Sequence, residues 1–77
     1  MAVKAYILIT VAAGKMDDVA KAVRGLPGVT DVTAVTGPYD VIAAIQVADL
    51  AALGNLVKTS IQGTDGVVHT LTCISVS

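Results

Sequence analysis

The stretch VTDVTAVTGPYDVIAAIQV, residues 29–47, decides how this chain folds. Its flanks are rich in β-branched residues, which suit a pleated surface. Between them Gly37, Pro38 and Asp40 are turn formers. The stretch therefore reads as two antiparallel strands, 29–36 and 41–47, joined by a hairpin. Tyr39 and Asp40 also set a phenol beside a carboxylate. Few other places in a chain built mostly of Ala, Val, Leu, Ile and Thr concentrate polar chemistry so tightly.

Towards the N-terminus, VKAYILITV at 3–11 is short and β-branched, and reads as a buried strand. Gly14 breaks it. Asp17 and Asp18 follow, where acidic side chains favour the positive end of a helix. Met16, Val19, Ala20, Val23 and Leu26 recur at three- and four-residue steps and share one helical face. Gly25 and Pro27-Gly28 stop that helix. Beyond the hairpin, Asp49 is a plausible N-cap. Leu50, Leu53, Leu56, Val57 and Ile61 form the apolar side of a second helix, whose interior Gly54 weakens. Residues 63–66 read as a loop and 67–76 as the last strand.

The order is strand, helix, strand, strand, helix, strand. It contains an echo: LPGVTDV at 26–32 against TDGVVHT at 64–70. Two halves of this kind build an α+β, ferredoxin-like βαββαβ sandwich, with both helices on one face of a four-stranded antiparallel sheet. The other face is left bare, yet it also reads as apolar. Tyr6 and Leu8 alternate with Ile7 and Ile9; Ile42 and Ala44 alternate with Val41, Ala43 and Ile45; Leu71 and Cys73 alternate with Ile74 and Val76. A second copy, sheet against sheet, is the expected cover, giving a dimeric α/β barrel.

Composition supports the same expectation. Seventy-seven residues make one domain, 1–77, near the lower size limit for independent folding. A lone cysteine excludes an internal disulfide as staple, and one Cys with one His makes a structural zinc improbable. Oligomerisation remains. The net charge is −1, and the five basic residues are scattered. Direct nucleic-acid binding needs a basic footprint that this chain lacks. Lys4 and the apolar run after it loosely imitate a signal peptide, but cleavage near Gly14 would delete a strand the fold needs. No segment approaches the ~20 apolar residues of a membrane span. The chain reads as cytoplasmic, with no membrane partner, metal or cofactor.

LPGV at 26–29, TGPYD at 36–40 with the apolar strand after it, and the DGV…T.T pattern at 65–72 resemble the effector-binding (RAM) domain of the Lrp/AsnC transcriptional regulators. The resemblance runs over almost the whole chain, and the hairpin is its most specific part. It implies pairing of two domains through their sheets, assembly of dimers into rings, and amino-acid binding between dimers near the hairpin. Full-length members carry an N-terminal helix-turn-helix; this chain begins at its first strand, so a stand-alone effector domain is expected. Its partner would then be a regulator of the same type. The ligand-binding residues carried over are Gly37, Tyr39 and Asp40 on the turn. Thr70 and Thr72 on the last strand join them, supplied by a neighbouring subunit. Asp40 would hold an ammonium group, and hydroxyls and turn N–H groups a carboxylate. Pro38 removes one such donor, and Leu71 stands where some members have a charge.

On the residues alone, GPYD is most simply a structural turn. His69 reads as a partly exposed strand residue and Cys73 as a small buried hydrophobe. Catalysis is not expected: the chain has no Glu, Arg24 closes a helix, and the only His has no partner nearby. A purely structural oligomerisation module and a small dimeric α/β-barrel enzyme are the alternatives, as is an ACT-like regulatory domain, against which the TGPYD hairpin argues.

Overall fold

The computed structural model describes residues 2–76. The elements are β1 (Val3–Val11), α1 (Met16–Arg24), β2 (Val29–Ala34), β3 (Val41–Val47), α2 (Leu50–Asn55), a π-helical stretch (Leu56–Ile61) and β4 (Val67–Ile74). One sheet runs β2-β3-β1-β4 with every neighbouring pair antiparallel. This is the expected βαββαβ sandwich. In the single chain the sheet is open rather than closed into a barrel.

The core follows from period two in the central strands and period 3.6 in α1. Ala5, Ile7 and Ile9 of β1 and Val41, Ala43 and Ile45 of β3 are buried beneath the helices. Val19, Ala20 and Val23 of α1 meet them, with Leu53, Leu56, Val57 and Ile61 from the second helical segment. The alternate residues of the same strands, Tyr6, Leu8, Ile42 and Ala44, lie on the opposite face. Tyr6 there is 48% exposed and Leu71, beside Leu8, 44% exposed.

Several boundaries differ from the sequence reading. β2 stops at Ala34, two residues early, because Val35 N–H already donates to the Asp40 carbonyl and closes the hairpin. β4 stops at Ile74. Asp49 does cap α2, its Oδ1 accepting from Ala52 N–H at 2.8 Å. After one α-helical turn the segment widens, and Gln62 N–H reaches back five residues to the Val57 carbonyl. Leu50, which its spacing assigns to the buried side, is 61% exposed. Cys73 is exposed, not buried. It pairs with Tyr6 on the uncovered face, where no helix packs. No helix among the described residues is long and apolar enough to cross a membrane.

The echo in the sequence is an echo in three dimensions. Gly28 and Gly66 each lead from a helix into an edge strand with a positive φ, +94° and +97°. The Gly28 carbonyl accepts from Gln46 N–H and the Gly66 carbonyl from Ala12 N–H, both at 2.8 Å. Both glycines are also sterically required. A Cβ on Gly66 would lie 2.8 Å from Lys15 Cβ and 2.9 Å from Val19 Cγ2. Gly54, by contrast, faces open space in α2. Urea unfolding should therefore show Gly66→Ala destabilised by about 1–3 kcal/mol, from backbone strain and crowding. Gly54→Ala should be stabilised by about 0.5–1 kcal/mol, the cost of a helical glycine.

Candidate functional site

The β2–β3 hairpin crosses the chain at the end of β1, where the ladder to β4 slips between Thr10 and Val11. Two bonds tie the hairpin to that irregular point. Asp40 N–H donates to the Ile9 carbonyl, and Val11 N–H donates to Asp40 Oδ2, both at 2.9 Å. The carboxylate thus supplies one more acceptor after the regular strand pairing has ended. It satisfies a backbone donor in a half-buried position, where an unmet N–H is costly. Asp40 is accordingly a structural residue, whatever else it holds. Gly37, with φ +130°, lets the turn fold over without a side chain in the way. Gly37 and Pro38 are exposed, while Tyr39 and Asp40 are half-buried.

Thr70 and Thr72 lie on the other side of β1. Thr70 pairs with Ile9 and Thr72 with Ile7, so both point to the helix side of the sheet. Thr70 Oγ1 accepts from Gln62 Nε2 at 3.1 Å, and Thr72 is exposed. Asp40 and Thr70 flank Ile9 from opposite sides, two strand spacings or roughly 10 Å apart. Within one chain, Gly37, Tyr39 and Asp40 are brought together; Thr70 and Thr72 form a separate group one strand away.

Two participants escape the sequence reading. The Asp40–Val11 bond joins residues 29 positions apart, and nothing local signals it. Gln62 leaves a signal: it stands four residues before Gly66, as Arg24 stands before Gly28 in the echoed segment.

The Lrp/AsnC ligand binding domain profile matches residues 4–77. The chain belongs to that family. Among curated relatives, this Lrp/AsnC ligand binding domain is similar to the HTH-type transcriptional regulator FL11 of Pyrococcus furiosus, 35% identical over 74 residues. That match takes in 94% of this chain and 48% of the regulator, so the chain spans about half the length of its relative. Among solved structures, TTHA0845 from Thermus thermophilus superposes with a TM-score of 0.93 at 31% identity. The superposition covers 97% of this chain and 94% of the other. The transcriptional regulator NMB0573 of Neisseria meningitidis, solved as an L-Met complex, shares the fold with a TM-score of 0.89 at 23% identity. Its match covers 97% of this chain and 50% of that one.

Substitution separates the structural role of Asp40 from any ligand role. Asp40→Asn keeps an oxygen for Val11 N–H, and Asp40→Ala removes it. Asp40→Ala should lose about 1.5–3 kcal/mol, the range for hydrogen bonds to charged groups. Asp40→Asn should lose clearly less. Denaturant midpoints of the two variants against the parent check this.

Proposed function

We propose that this domain senses a small amino acid and transmits its presence through assembly. Family membership and regulator relatives support an effector-binding regulatory domain. The observation that carries the finer reading is the TGPYD hairpin, with the half-buried Tyr39 and Asp40 beside the irregular end of β1. Asp40 Oδ2 is engaged by Val11 N–H, and the second carboxylate oxygen remains to receive an ammonium group. Thr70 and Thr72 stand too far across β1 to serve the same hairpin. In this reading a neighbouring subunit brings them, so the pocket exists only between subunits. A ligand bound there favours the assembled state by mass action. The NMB0573 complex with L-Met directs the search towards amino acids.

Assembly begins at the uncovered sheet face. Leu8, Ile42, Tyr6 and Leu71 form its apolar centre, with Lys4, Gln46, Thr10 and His69 around them. An apolar middle with a polar rim is the anatomy of an interface, and each large aliphatic side chain covered is worth roughly 1.5–3 kcal/mol. A two-fold pairing of these faces gives the dimer. A regulator carrying the same domain is the proposed partner, through mixed assembly, and the role is regulatory rather than catalytic.

One observation favours a second reading. Because the Asp40 carboxylate already has a structural task, the hairpin is also consistent with an oligomerisation module that holds no ligand.

A thermal-unfolding screen against the common amino acids at millimolar concentration decides between them. A ligand for the folded state raises the midpoint. The sensor reading expects a selective rise that Asp40→Asn abolishes while the variant stays folded. A flat screen, or a shift unchanged in Asp40→Asn, removes Asp40 from the site. Separately, Leu8→Glu places a charge in the middle of the sheet face. Light scattering should then show the assembly reduced by half or more; an unchanged mass rules out the face-to-face dimer.

A further inference from the structure

The two outer strands, β2 and β4, occupy equivalent places in the echoed halves, and each borders a groove. One groove is lined by Arg24, Val29, Thr30, Asp31 and Val32. The other is lined by Gln62, Val67, Val68, His69 and Thr70, each 38 positions further on. The molecule therefore contains its own comparison. At β2 the groove is about 130 Å³, and Arg24 Nη2 donates to the Val32 carbonyl on the outer edge at 3.2 Å. At β4 the groove is about 310 Å³, and the shorter Gln62 bonds to the Thr70 hydroxyl rather than to the backbone. An arginine seals one edge; its counterpart leaves the other unsealed.

The ladder shows what β4 leaves open. Ser75 N–H donates to the Lys4 carbonyl. In antiparallel pairing, residues alternate between turning their backbone groups to the neighbour and turning them away. His69, Leu71 and Cys73 therefore bond to β1, and Val68, Thr70, Thr72 and Ile74 aim their N–H and C=O groups outward. The same rule turns Val32 outward on β2, where Arg24 meets it. Edge strands are normally blunted by charge, proline or cover. β2 has Asp31 and Arg24. β4 is eight residues long, VVHTLTCI, without Asp, Glu, Lys, Arg or Pro.

We propose that the outer edge of β4 pairs antiparallel with β4 of a second copy, about a two-fold axis at Leu71. This docking does not depend on the effector reading and uses a surface distinct from the sheet face. The argument for a second copy is self-complementarity. With the axis at Leu71, Val68 stands opposite Ile74 and Thr70 opposite Thr72, so every outward backbone group meets an outward group. Apolar side chains face apolar ones, and hydroxyls face hydroxyls, pairings that stabilise adjacent strands. No like charges meet. Val68 and Ile74, 68% and 48% exposed, lose water on pairing. The result is a continuous eight-stranded sheet across two subunits. Combined with face-to-face pairing, each subunit then has two distinct self-complementary interfaces, enough to build assemblies beyond the dimer.

Leu71 against its own copy is a pair without mutual hydrogen bonds, with Cα atoms roughly 4.5 Å apart, inside the range a disulfide spans. Leu71→Cys in a Cys73→Ser background should therefore give a reducible covalent dimer on mild oxidation. Adding Thr72→Pro deletes an outward N–H while leaving the bonds to β1 intact, as edge prolines do. It should abolish the crosslink and lower the mass of the unoxidised assembly, with the circular dichroism unchanged. Absence of the crosslink in Leu71→Cys/Cys73→Ser overturns the proposal, as does a crosslink that persists with Thr72→Pro in place. The first of these outcomes needs no proline, so the test survives if that variant fails to fold.

Discussion

The β1–β3 pairing is the constraint on which the rest of the structure depends. Ala5, Ile7 and Ile9 interleave with Val41, Ala43 and Ile45, and all six are at most 2% exposed. Both helices exist to cover this one patch: α1 through Val19 and Val23, the second helical segment through Leu53, Leu56, Val57 and Ile61. The core contains no aromatic ring. Aliphatic side chains must fill it at close to crystalline density, which is why the glycine approaches are so tight. The same two strands carry large apolar residues on their other side, so the backbone that builds the core also builds the uncovered face.

Much of this is legible in the sequence because it rests on local periodicity. Alternation in residues 3–11 and 41–47 marks both faces of the central strands, and three- and four-residue spacing marks the buried side of α1. The LPGV and TDGV echo announces the two-fold repetition. What the sequence hides depends on partners distant along the chain. Asp40 reads as a turn residue until Val11 N–H is found beside it. Alternation places Cys73 on the correct side of its strand but not its exposure, because parity gives direction and says nothing about cover. The π-helical turn leaves no trace, since Leu56, Val57 and Ile61 fit an α-helical face equally well.

At the hairpin the resemblance in sequence and the geometry speak to different things. Family membership explains why a turn of this composition recurs in this place. The bonds to Ile9 and Val11 explain why its aspartate is useful to an isolated fold. A residue under both demands is a poor candidate for casual substitution. It couples whatever touches the hairpin to the end of β1, and through β1 to both neighbouring strands.

The π-helical stretch has a further consequence. Ala12 and Gln46, which donate to the two equivalent glycines, are 34 positions apart, whereas Gly28 and Gly66 are 38 apart. The second half-chain therefore carries four more residues between matching points than the first. Four residues exceed one α-helical turn of 3.6, so a plain α-helical insertion would rotate every later side chain off the core. A turn that closes over five residues instead of four absorbs that excess. Leu56, Val57 and Ile61 keep facing inward, and Gly66 still arrives where the strand must start. The widened turn is the scar of unequal repeats, and it is what lets halves of different length obey a single symmetry.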